Sequence, residues 1–484
     1  MTPIDRRRFL QHAMTSSAAA AAIGPAGRIL AAEKPSKSPN EKLNVAIIGV
    51  RGRGQDHARA FAAMPDCEVT CICECDRAIA PSVVKKIGEI QKGREPKFVE
   101  DLRRVFEDKS IDMVSVATPN HWHSLAAIWA MQAGKDVYVE KPVSHNVSEG
   151  RRMVQVARKH NRICQGGTQY RSFGPNREAA RYIAEGKLGK VSYAHCYTYR
   201  TRNPIGAPGE YQPPESLDYN LWAGPAPMPL PVRRPNFHYD WHWIWDYGNG
   251  ELGNNSVHPV DAMRMIVGGT GLGRGVLSYG ARHYDDAGQT PNTQVTIHDL
   301  GEMVLVQEVR NLKTAPPARG GAILVEGSEG YLVSTLSGAS AYRPDGELAQ
   351  KFEAPNDDHF ANFVKAVRSR NREDLNAEIV NGHISTAVIH VANISQRLGE
   401  DASPAEIKAR LEKLPAAEKT LETFESIRKH LADHDIDIDK QPLKLGPWLQ
   451  IDSDKETFVG NDAANAMLTR DYREPFVVPA ADQM

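Results

Sequence analysis

Short apolar runs alternate with amphipathic stretches between residues 43 and 165. The run 43–49 is apolar, rich in β-branched residues and ends in glycine, which predicts a buried strand. The same pattern predicts strands at 68–74, 112–118 and 136–140, and helices at 57–64, 77–90, 124–133 and 148–160. Strands that alternate with helices indicate a parallel sheet with crossover helices, so we expect an α/β Rossmann domain, doubly wound, over 43–165.

The pattern changes after residue 165. Successive strand-like runs at 190–199, 275–283, 293–298, 302–309, 322–325 and 331–335 predict an open, mostly antiparallel sheet. Helices are predicted at 176–185, 256–267, 357–369 and 377–398. The irregular stretch 202–247 is rich in Pro, Trp and Tyr, and a segment of that length is usually functional or a lid. We therefore expect a second α/β domain over 166–400, followed by a C-terminal extension at 401–484 without an assigned domain.

The composition is that of a globular protein, with 41% hydrophobic and 25% charged residues. The 59 Lys and Arg residues balance 60 Asp and Glu residues, which excludes a strongly basic nucleic-acid-binding protein. No apolar run is long enough to span a membrane. Cys71, Cys73 and Cys75 alternate along a predicted strand, which favours core packing over a metal site or a disulfide, and no metal is predicted.

The first 32 residues have the three parts of an export signal. Arg6-Arg7-Arg8-Phe9-Leu10 forms a charged head, 18–23 is apolar and small, and Ala31-Ala32 ends the segment. The head resembles a twin-arginine signal, which implies export of a folded, cofactor-loaded protein by the twin-arginine machinery. We therefore expect a periplasmic or otherwise exported protein, with a linker at 33–42.

The turn after the first strand reads Gly49-Val50-Arg51-Gly52-Arg53-Gly54. A dinucleotide fingerprint has glycine at positions one, three and six, so Gly49 and Gly54 fit, but Arg51 stands in the middle position. The helix that follows would offer amide donors to a pyrophosphate, and Arg51 or Arg53 would add positive charge. Glu74 ends the second predicted strand, where an acid binds the adenosine ribose and favours NAD, although nearby Arg77 leaves NADP open.

Two further motifs follow at a fixed spacing. Thr118-Pro119-Asn120-His121-Trp122-His123 closes one predicted strand, and Gly134-Lys135-Asp136-Val137-Tyr138-Val139-Glu140-Lys141-Pro142 comes one helix later. Together with the glycine loop, this ordered set resembles the Gfo/Idh/MocA oxidoreductases, which include glucose–fructose oxidoreductase and inositol dehydrogenase. The resemblance covers about residues 43–400.

The resemblance implies a catalytic lysine, here Lys141, beside the reacting carbon and the bound cofactor. An ammonium there would stabilise a developing alkoxide and relay a proton, with Glu140 to orient it and Pro142 to stiffen the turn. The resemblance also implies that Thr118, Pro119, Asn120, His123 and Glu140 belong to the cofactor site. It further implies a homo-oligomer formed through the sheet of the second domain.

In the second domain the family pattern places an aspartate and a histidine four residues apart at the start of a helix. His258 matches the histidine, but Asn254 stands in the aspartate position, so His258 must transfer the proton, with Lys141 as a possible partner. Asp261 matches an acid three residues later, and Tyr170 or Arg171 would reach the substrate from the crossing between domains. The stretch 237–246 would either stack on a sugar or pack in a core or an interface.

Three functions remain open on these residues. The first is an NAD(P)-dependent dehydrogenase for a secondary hydroxyl of a sugar, polyol or glycoside, with a tightly held cofactor because the periplasm keeps no soluble NAD pool. The second is an NAD-dependent glycoside hydrolase that oxidises, eliminates, adds water and reduces again. The third is a non-catalytic sugar-binding protein, against which the presence of both Lys141 and His258 argues.

Overall fold

A computed structural model describes residues 41–335 and 338–483 of the chain. The predicted signal at 1–32 and most of the linker at 33–42 lie outside these residues. In the described part, no helix combines the length and the apolar character that crossing a bilayer requires. The fold of the described residues consists of two sheets with helices around them.

The first domain is built on a parallel sheet of six strands. The strands are β1 (Leu43–Ile48), β2 (Cys67–Cys73), β3 (Lys97–Val99), β4 (Met113–Val116), β5 (Asp136–Val139) and β6 (Cys164–Gly166). The helices are α1 (Gly54–Ala63), α2 (Ala80–Ile90), α3 (Leu102–Glu107), α4 (Asn120–Gln132) and α5 (Val147–Lys159). The strand order β3-β2-β1-β4-β5-β6 confirms the predicted doubly wound Rossmann sheet.

The central strands are apolar along their whole length because helices cover both faces of the sheet. Ile47, Val114 and Val137 have no exposed surface. Cys71 and Cys73 also pack in this core, and all six cysteines are free thiols. Helix α4 begins at Asn120, four residues before its predicted start, because Pro119 supplies the fixed φ that suits a helix entry.

The second domain contains a larger mixed sheet, as predicted. Its strands are β7 (Val191–Tyr199), β8 (Gly275–Ala281), β9 (Thr293–Asp299), β10 (Val304–Arg310), β11 (Ile323–Gly327), β12 (Gly330–Ser334), β13 (Ala339–Tyr342), β14 (Leu348–Phe352), β15 (Glu400–Ala402), β16 (Leu443–Leu445), β17 (Leu449–Asp452) and β18 (Thr457–Phe458). Its helices are α6 (Gly174–Ala184), α7 (Tyr219–Ala223), α8 (Val257–Ile266), α9 (His359–Ser369), α10 (Ile379–Arg397), α11 (Pro404–Leu411), α12 (Ala417–Ala432) and α13 (Asp462–Ala466). The β7–β10 pair is parallel and the other named pairs of this sheet are antiparallel.

Residues 401–484 do not form a separate unit where the structure describes them. Strands β15 and β16 extend the sheet beyond β8, and β17 also pairs with β8. Helices α11 and α12 pack their apolar residues, including Phe424 and Ile427, on the sheet face that Leu277 and Ile297 form. The boundary drawn at residue 400 therefore falls inside a continuous sheet. The tail covers part of the face that the family resemblance assigns to a subunit interface.

Candidate active site

One cavity of about 690 Å³ lies where the first sheet meets the second domain. The turns that follow β1, β2, β4 and β5 open into it, as expected for the carboxyl edge of a doubly wound sheet. From the other side it is lined by the end of β7, the start of α8 and part of the irregular stretch 202–247. Most of the sequence-predicted site residues meet here: Gly49, Arg51, Gly52, Arg53, Glu74, Thr118, Pro119, Asn120, His123, Glu140, Lys141, Asn254 and His258.

The glycine loop is closely packed at its two ends and open in its middle. Gly49 has φ +83°, and a Cβ there would lie 2.9 Å from the Ala117 carbonyl oxygen. A Cβ at Gly54 would lie 1.8 Å from the Gly49 carbonyl oxygen, so helix α1 can approach the loop only because residue 54 is glycine. A Cβ at Gly52 would meet no atom within 4 Å. Gly54 therefore serves packing and does not line the cavity, whereas Gly52 faces open space.

Glu74 is a buried carboxylate at the end of β2. It accepts hydrogen bonds from the backbone amides of Val50 at 2.8 Å and Asp76 at 3.2 Å, which ties the second strand to the glycine loop. Burial raises its pKa, and these amides act in the opposite direction. Arg77, which left NADP open, donates to Glu100 and does not line the cavity, whereas Glu100 does. Two carboxylates at this end disfavour a 2′-phosphate.

Glu140 holds the backbone around Lys141 rather than its ammonium. Its carboxylate lies 3.0 Å from His57 Nε2 and 3.1 Å from Arg53 Nε, and it accepts the backbone N–H of Lys141 at 3.1 Å. Burial alone would raise the pKa of Glu140, but the His57 hydrogen bond and the charges of Arg53 and Lys141 lower it overall. Glu140 therefore acts on Lys141 through its backbone N–H and through its charge, and the structure shows no hydrogen bond between its carboxylate and the Lys141 ammonium. Glu140 joins the glycine loop to the lysine turn.

The Lys141 ammonium is anchored on the other domain. Its Nζ donates to the Asn254 carbonyl oxygen at 2.5 Å. Asn254 lies in a π-helical turn, Leu252–Ser256, that runs into α8, and such turns recur at functional sites. Burial lowers the pKa of Lys141, and the carboxylates of Glu140 and Glu251 oppose that effect. Two ammonium protons remain for a ligand in the cavity.

His258 lies at the start of α8 with its Nδ1 buried and without a hydrogen-bond partner in the described structure. Burial, together with the positive charge of Lys141, lowers its pKa to about 3, so the imidazole is neutral near pH 7. The ring of Tyr170 packs against it, with 4.9 Å between ring centroids. Tyr170 does not line the cavity, and its neighbour Gln169 does. The structure therefore places Tyr170, which the sequence predicts as a substrate residue, against His258 and not on the cavity wall.

Arg171 and Asp261 form a buried ion pair away from the cavity. Arg171 Nε lies 2.9 and 2.7 Å from the two carboxylate oxygens of Asp261, which also accepts the Ser385 hydroxyl at 2.6 Å. Both side chains are under 9% exposed. The structure does not bring the predicted substrate residues Arg171 and Asp261 to the cavity, because each is paired with the other and neither lines it. The pair joins the crossing between domains to α8 and α10.

The Thr118-Pro119-Asn120-His123 segment lies on the cavity wall, and His123 connects it to the lysine turn. The two ring nitrogens of His123 lie 2.8 Å from the Thr118 carbonyl oxygen and 2.6 Å from the Pro142 carbonyl oxygen. The Asn120 amide donates to the Asn249 side chain at 3.3 Å. These contacts fix the backbone of both motifs at the cavity. The Thr118 hydroxyl is buried and makes no hydrogen bond in the described structure.

Sequence reasoning missed much of the wall that the stretch 202–247, here called the strap, contributes. The strap lines the cavity with Leu221, Trp222, His238, Tyr239, Trp241 and His242. The aromatic residues of 237–246 were the feature of the sequence that pointed to this wall, and the sequence left open whether their rings bind a ligand or fill a core. Trp222 and Trp241 do both, because they belong to an apolar cluster and also line the cavity. Arg200, at the end of β7, also lines it and had no distinguishing pattern.

The cavity fits a dinucleotide on the observed donors. Thr118, Gln169 and His258 line it, and each has a buried side-chain atom without a partner in the described structure, so polar groups remain unsatisfied in this wall. Open space at Gly52 lies beside Arg51 and Arg53, as a pyrophosphate requires. Glu74 would accept the ribose hydroxyls, and Lys141 and His258 would lie at the opposite, reactive end. No group of three or more metal-ligating side chains occurs among the described residues.

Two family models match the chain. One, described as an oxidoreductase family with an NAD-binding Rossmann fold, matches residues 43–168, and its companion, the C-terminal α/β domain of the same family, matches residues 207–431. The chain spans about half the length of the curated relatives it matches. Levoglucosan dehydrogenase of Pseudarthrobacter phenanthrenivorans is 27% identical over 49% of this chain and 54% of its own. A glycosyl hydrolase family 109 protein of Saccharopolyspora erythraea is 29% identical over 41% and 47%.

A solved structure has the same fold. The WlbA dehydrogenase of Bordetella pertussis, in complex with NADH and UDP-GlcNAcA, covers 74% of this chain and 97% of its own with a TM-score of 0.54 and 19% identity. Both domains, in their order and in their strand arrangement, match one family. The chain therefore belongs to the Gfo/Idh/MocA oxidoreductases, with an NAD-binding Rossmann domain followed by the α/β domain of that family.

Proposed function

We propose that this protein is an NAD-dependent oxidoreductase that acts on a secondary hydroxyl of a sugar, polyol or glycoside. The observation that carries the proposal is that Lys141 of the first domain and His258 of the second line one cavity with the glycine loop. A nicotinamide bound there supplies a hydride acceptor and donor. The relationship to a levoglucosan dehydrogenase supports a carbohydrate substrate.

Lys141 and His258 divide the work at the hydroxyl. The Lys141 ammonium, held by the Asn254 carbonyl, donates a hydrogen bond to the substrate oxygen and stabilises negative charge that develops on it. His258 is neutral, because burial and the Lys141 charge lower its pKa to about 3, so its ring can accept a hydrogen bond from the substrate. Asn254 has no carboxylate to complete a charge relay, so proton transfer depends on Lys141 and on the histidines that line the cavity.

NAD is favoured over NADP by the acids at the adenosine end. Glu74 and Glu100 both line the cavity there, and Arg77 is paired with Glu100. A cofactor assay tests this directly. The protein is purified without added cofactor and denatured, and the released NAD(H) and NADP(H) are measured. Stoichiometric NAD(H) is the expected result, and NADP(H) or no nucleotide contradicts the proposal.

A second candidate is an NAD-dependent glycoside hydrolase, which the similarity to a glycosyl hydrolase family 109 protein favours. Glycosides and free sugars distinguish the two. Release of the aglycone without net NADH supports the hydrolase. Accumulation of NADH, or oxidation of one sugar coupled to reduction of another, supports the dehydrogenase. Absence of both cofactor and turnover would support the non-catalytic sugar-binding protein.

We further propose that the protein is exported through the twin-arginine route with its cofactor already bound. The Arg6-Arg7-Arg8-Phe9-Leu10 head and the small apolar run after it support this proposal. Replacement of Arg6 and Arg7 by Lys should retain the full-length chain in the cytoplasm, measured by fractionation of cells that express it. Export of that variant at the wild-type level would contradict the proposal.

We also propose a homo-oligomer that uses the sheet of the second domain. Because α11 and α12 cover the face of β8, β9 and β10 and also contact Tyr193 of β7 and Glu326 of β11, the contact would use the part formed by β12–β14. Light scattering on the purified protein tests this, and a monomer at micromolar concentration contradicts it.

A further inference from the structure

His242 lies in the strap, on a short 3₁₀ turn, Asp240–Trp243, and lines the cavity that Lys141 and His258 also line. The turn is packed firmly, since Trp241 and Trp243 are buried. The imidazole of His242 stacks on Trp241 with 3.6 Å between ring centroids and 20° between ring planes. The ring plane is therefore fixed by its neighbour, so its edge presents one nitrogen in a defined direction.

The other ring nitrogen determines which tautomer is present. Nδ1 of His242 lies 2.6 Å from the carbonyl oxygen of Tyr239. A carbonyl oxygen only accepts, so Nδ1 carries the proton and donates it. Burial and the positive charges of Lys141 and Arg202 lower the pKa of His242 to about 3, so the ring is neutral near pH 7. In a neutral ring with its proton on Nδ1, Nε2 has a free lone pair.

This fixed lone pair distinguishes His242 from the other polar groups at the reactive end. The Lys141 ammonium is a donor whose protons point to oxygen acceptors. His258 has no partner for Nδ1, so no contact selects its tautomer. The position in which the family places an aspartate holds Asn254, which cannot act as a base. His242 is therefore the cavity residue in which a hydrogen bond to the backbone places the proton on Nδ1 and leaves the Nε2 lone pair free.

We infer that His242 is a catalytic base of the oxidation proposed above, on which this inference rests. Its Nε2 takes the proton of the substrate hydroxyl, and the O–H electrons form the second bond of the new carbonyl group. A bound nicotinamide would be the oxidant, because it would accept the hydrogen of the same carbon together with its electron pair. Lys141 donates a hydrogen bond to the oxygen during this change, and the Tyr239 carbonyl stabilises the imidazolium that results.

The protonation state of His242 can be measured without turnover. The full chain is labelled with ¹⁵N in its histidine rings, and the signal that His242→Asn removes is assigned to His242. At pH 7 we expect Nδ1 to carry a proton and Nε2 to be bare. A signal that shows a proton on Nε2, or a doubly protonated ring, overturns the inference.

Turnover is tested with levoglucosan, scyllo-inositol and 4-nitrophenyl N-acetyl-α-galactosaminide as probes. His242→Ala should lower kcat about 100-fold or more while bound NAD stays at the wild-type level, and added imidazole should restore part of the rate. His434→Ala is the matched control. His434 lies just after α12, and its Nδ1 makes the same kind of contact to a backbone carbonyl oxygen, at 2.8 Å. This variant should keep the wild-type rate.

The outcomes separate the two proposals. His242→Ala activity within threefold of wild type, or a loss that imidazole does not rescue, overturns the role of His242 and leaves the oxidoreductase proposal in place. Wild-type protein without nicotinamide cofactor and without turnover of any probe overturns the oxidoreductase proposal, and the role of His242 fails with it.

Discussion

At the scale of single residues, Lys141 connects the two domains at the reactive end of the cavity. Its backbone N–H is held by Glu140 of the first domain, and its Nζ by the Asn254 carbonyl of the second. The ammonium is therefore positioned by groups on both sides, and its direction depends on how the domains meet. A residue held in this way contributes to rate through orientation as well as charge.

Replacing Lys141 by Ala should abolish turnover and leave the cofactor bound. The ammonium is expected to stabilise the reacting oxygen, and such a group contributes about 10²- to 10⁴-fold in rate. The glycine loop and Glu74 do not depend on this side chain, so NAD released on denaturation should match the wild type. Lys187→Ala, at an exposed lysine paired with Glu185, is the control and should keep full activity. Full activity in Lys141→Ala would disprove the catalytic assignment.

Two glycines of the same loop should respond differently to alanine. In Gly54→Ala the new Cβ would lie 1.8 Å from the Gly49 carbonyl oxygen, so the helix must move and the free energy of unfolding should fall by about 1–3 kcal/mol. In Gly52→Ala nothing lies within 4 Å, so the fold should tolerate it. If that space holds the pyrophosphate, Gly52→Ala should stay folded but lose bound NAD. Thermal unfolding and cofactor content measure both effects, and wild-type cofactor content in Gly52→Ala would contradict the site.

The sequence motifs predicted correctly that Lys141 and His258 lie at the cavity. Lys141 follows the end of a strand and His258 lies at the start of a helix, and the fold brings both of these ends to the cavity. The motifs could not separate the cavity residues from those one layer behind. Arg171 and Asp261 have the residue types of a substrate site, but they pair with each other across 90 positions of sequence. Local spacing carries no information about such a partner. For the same reason the hydrogen bond that fixes the His242 tautomer became visible only in the structure.

At the scale of elements, Glu456 of the C-terminal tail contacts one helix of each domain. Its carboxylate accepts His383 Nε2 of α10 at 2.9 and 3.0 Å and pairs with Arg151 of α5. Burial raises the pKa of Glu456, but the bonds from His383 and Arg151 exceed that effect and lower it from 4.5 to about 2. The ionised form is therefore the one that stabilises the contact.

Glu456→Gln should destabilise the protein in a pH-dependent way. The lowered pKa means that the ionised Glu456 contributes stability above pH 4.5, about 3 kcal/mol, and that this contribution is lost as the pH falls towards 2. Urea unfolding at pH 7, 4 and 3 should show a gap between wild type and variant that narrows with acid. Glu347→Gln, in an exposed pair with Arg343, should show almost no gap. A gap that does not change with pH would contradict this assignment.

The elements that the sequence predicts correctly are those whose hydrophobic pattern follows from the burial of their own residues. The apolar runs of β1, β4 and β5 are covered on both faces, so their sequence shows it directly. Strand β14 was missed because four of its five residues are exposed and no alternation marks it. Strands β15 and β16 are three residues each and are held by pairing to one another and to β8, which is a long-range contact. The family resemblance also gave no account of the tail.

At the scale of the whole molecule, the strap leaves the second domain and closes over the cofactor end of the first. Asp76 of the first domain accepts the Ser216 hydroxyl at 2.6 Å and lies 2.8 Å from His238 Nε2. Backbone hydrogen bonds join Arg77 to Ser216 and Asp218 to Cys75 beside it. The strap therefore forms part of the cavity wall at the cofactor end, and we expect its attachment to slow the release of a bound dinucleotide.

Asp76→Ala should therefore speed release of the cofactor. Asp76 does not line the cavity, so the variant removes two hydrogen bonds of the strap without removing a cofactor contact. Each bond is worth about 1 kcal/mol, which corresponds to an increase in the NAD dissociation rate of about tenfold to a hundredfold. The rate is measured by dilution of loaded protein into an NAD-scavenging enzyme. Ser403→Ala removes the N-cap of α11, which does not line the cavity, and controls for general destabilisation. An unchanged rate in Asp76→Ala would show that the strap does not retain the cofactor, and an equal increase in both variants would assign the effect to stability alone. The proposed export would require such retention, because a cofactor lost outside the cytoplasm is not replaced.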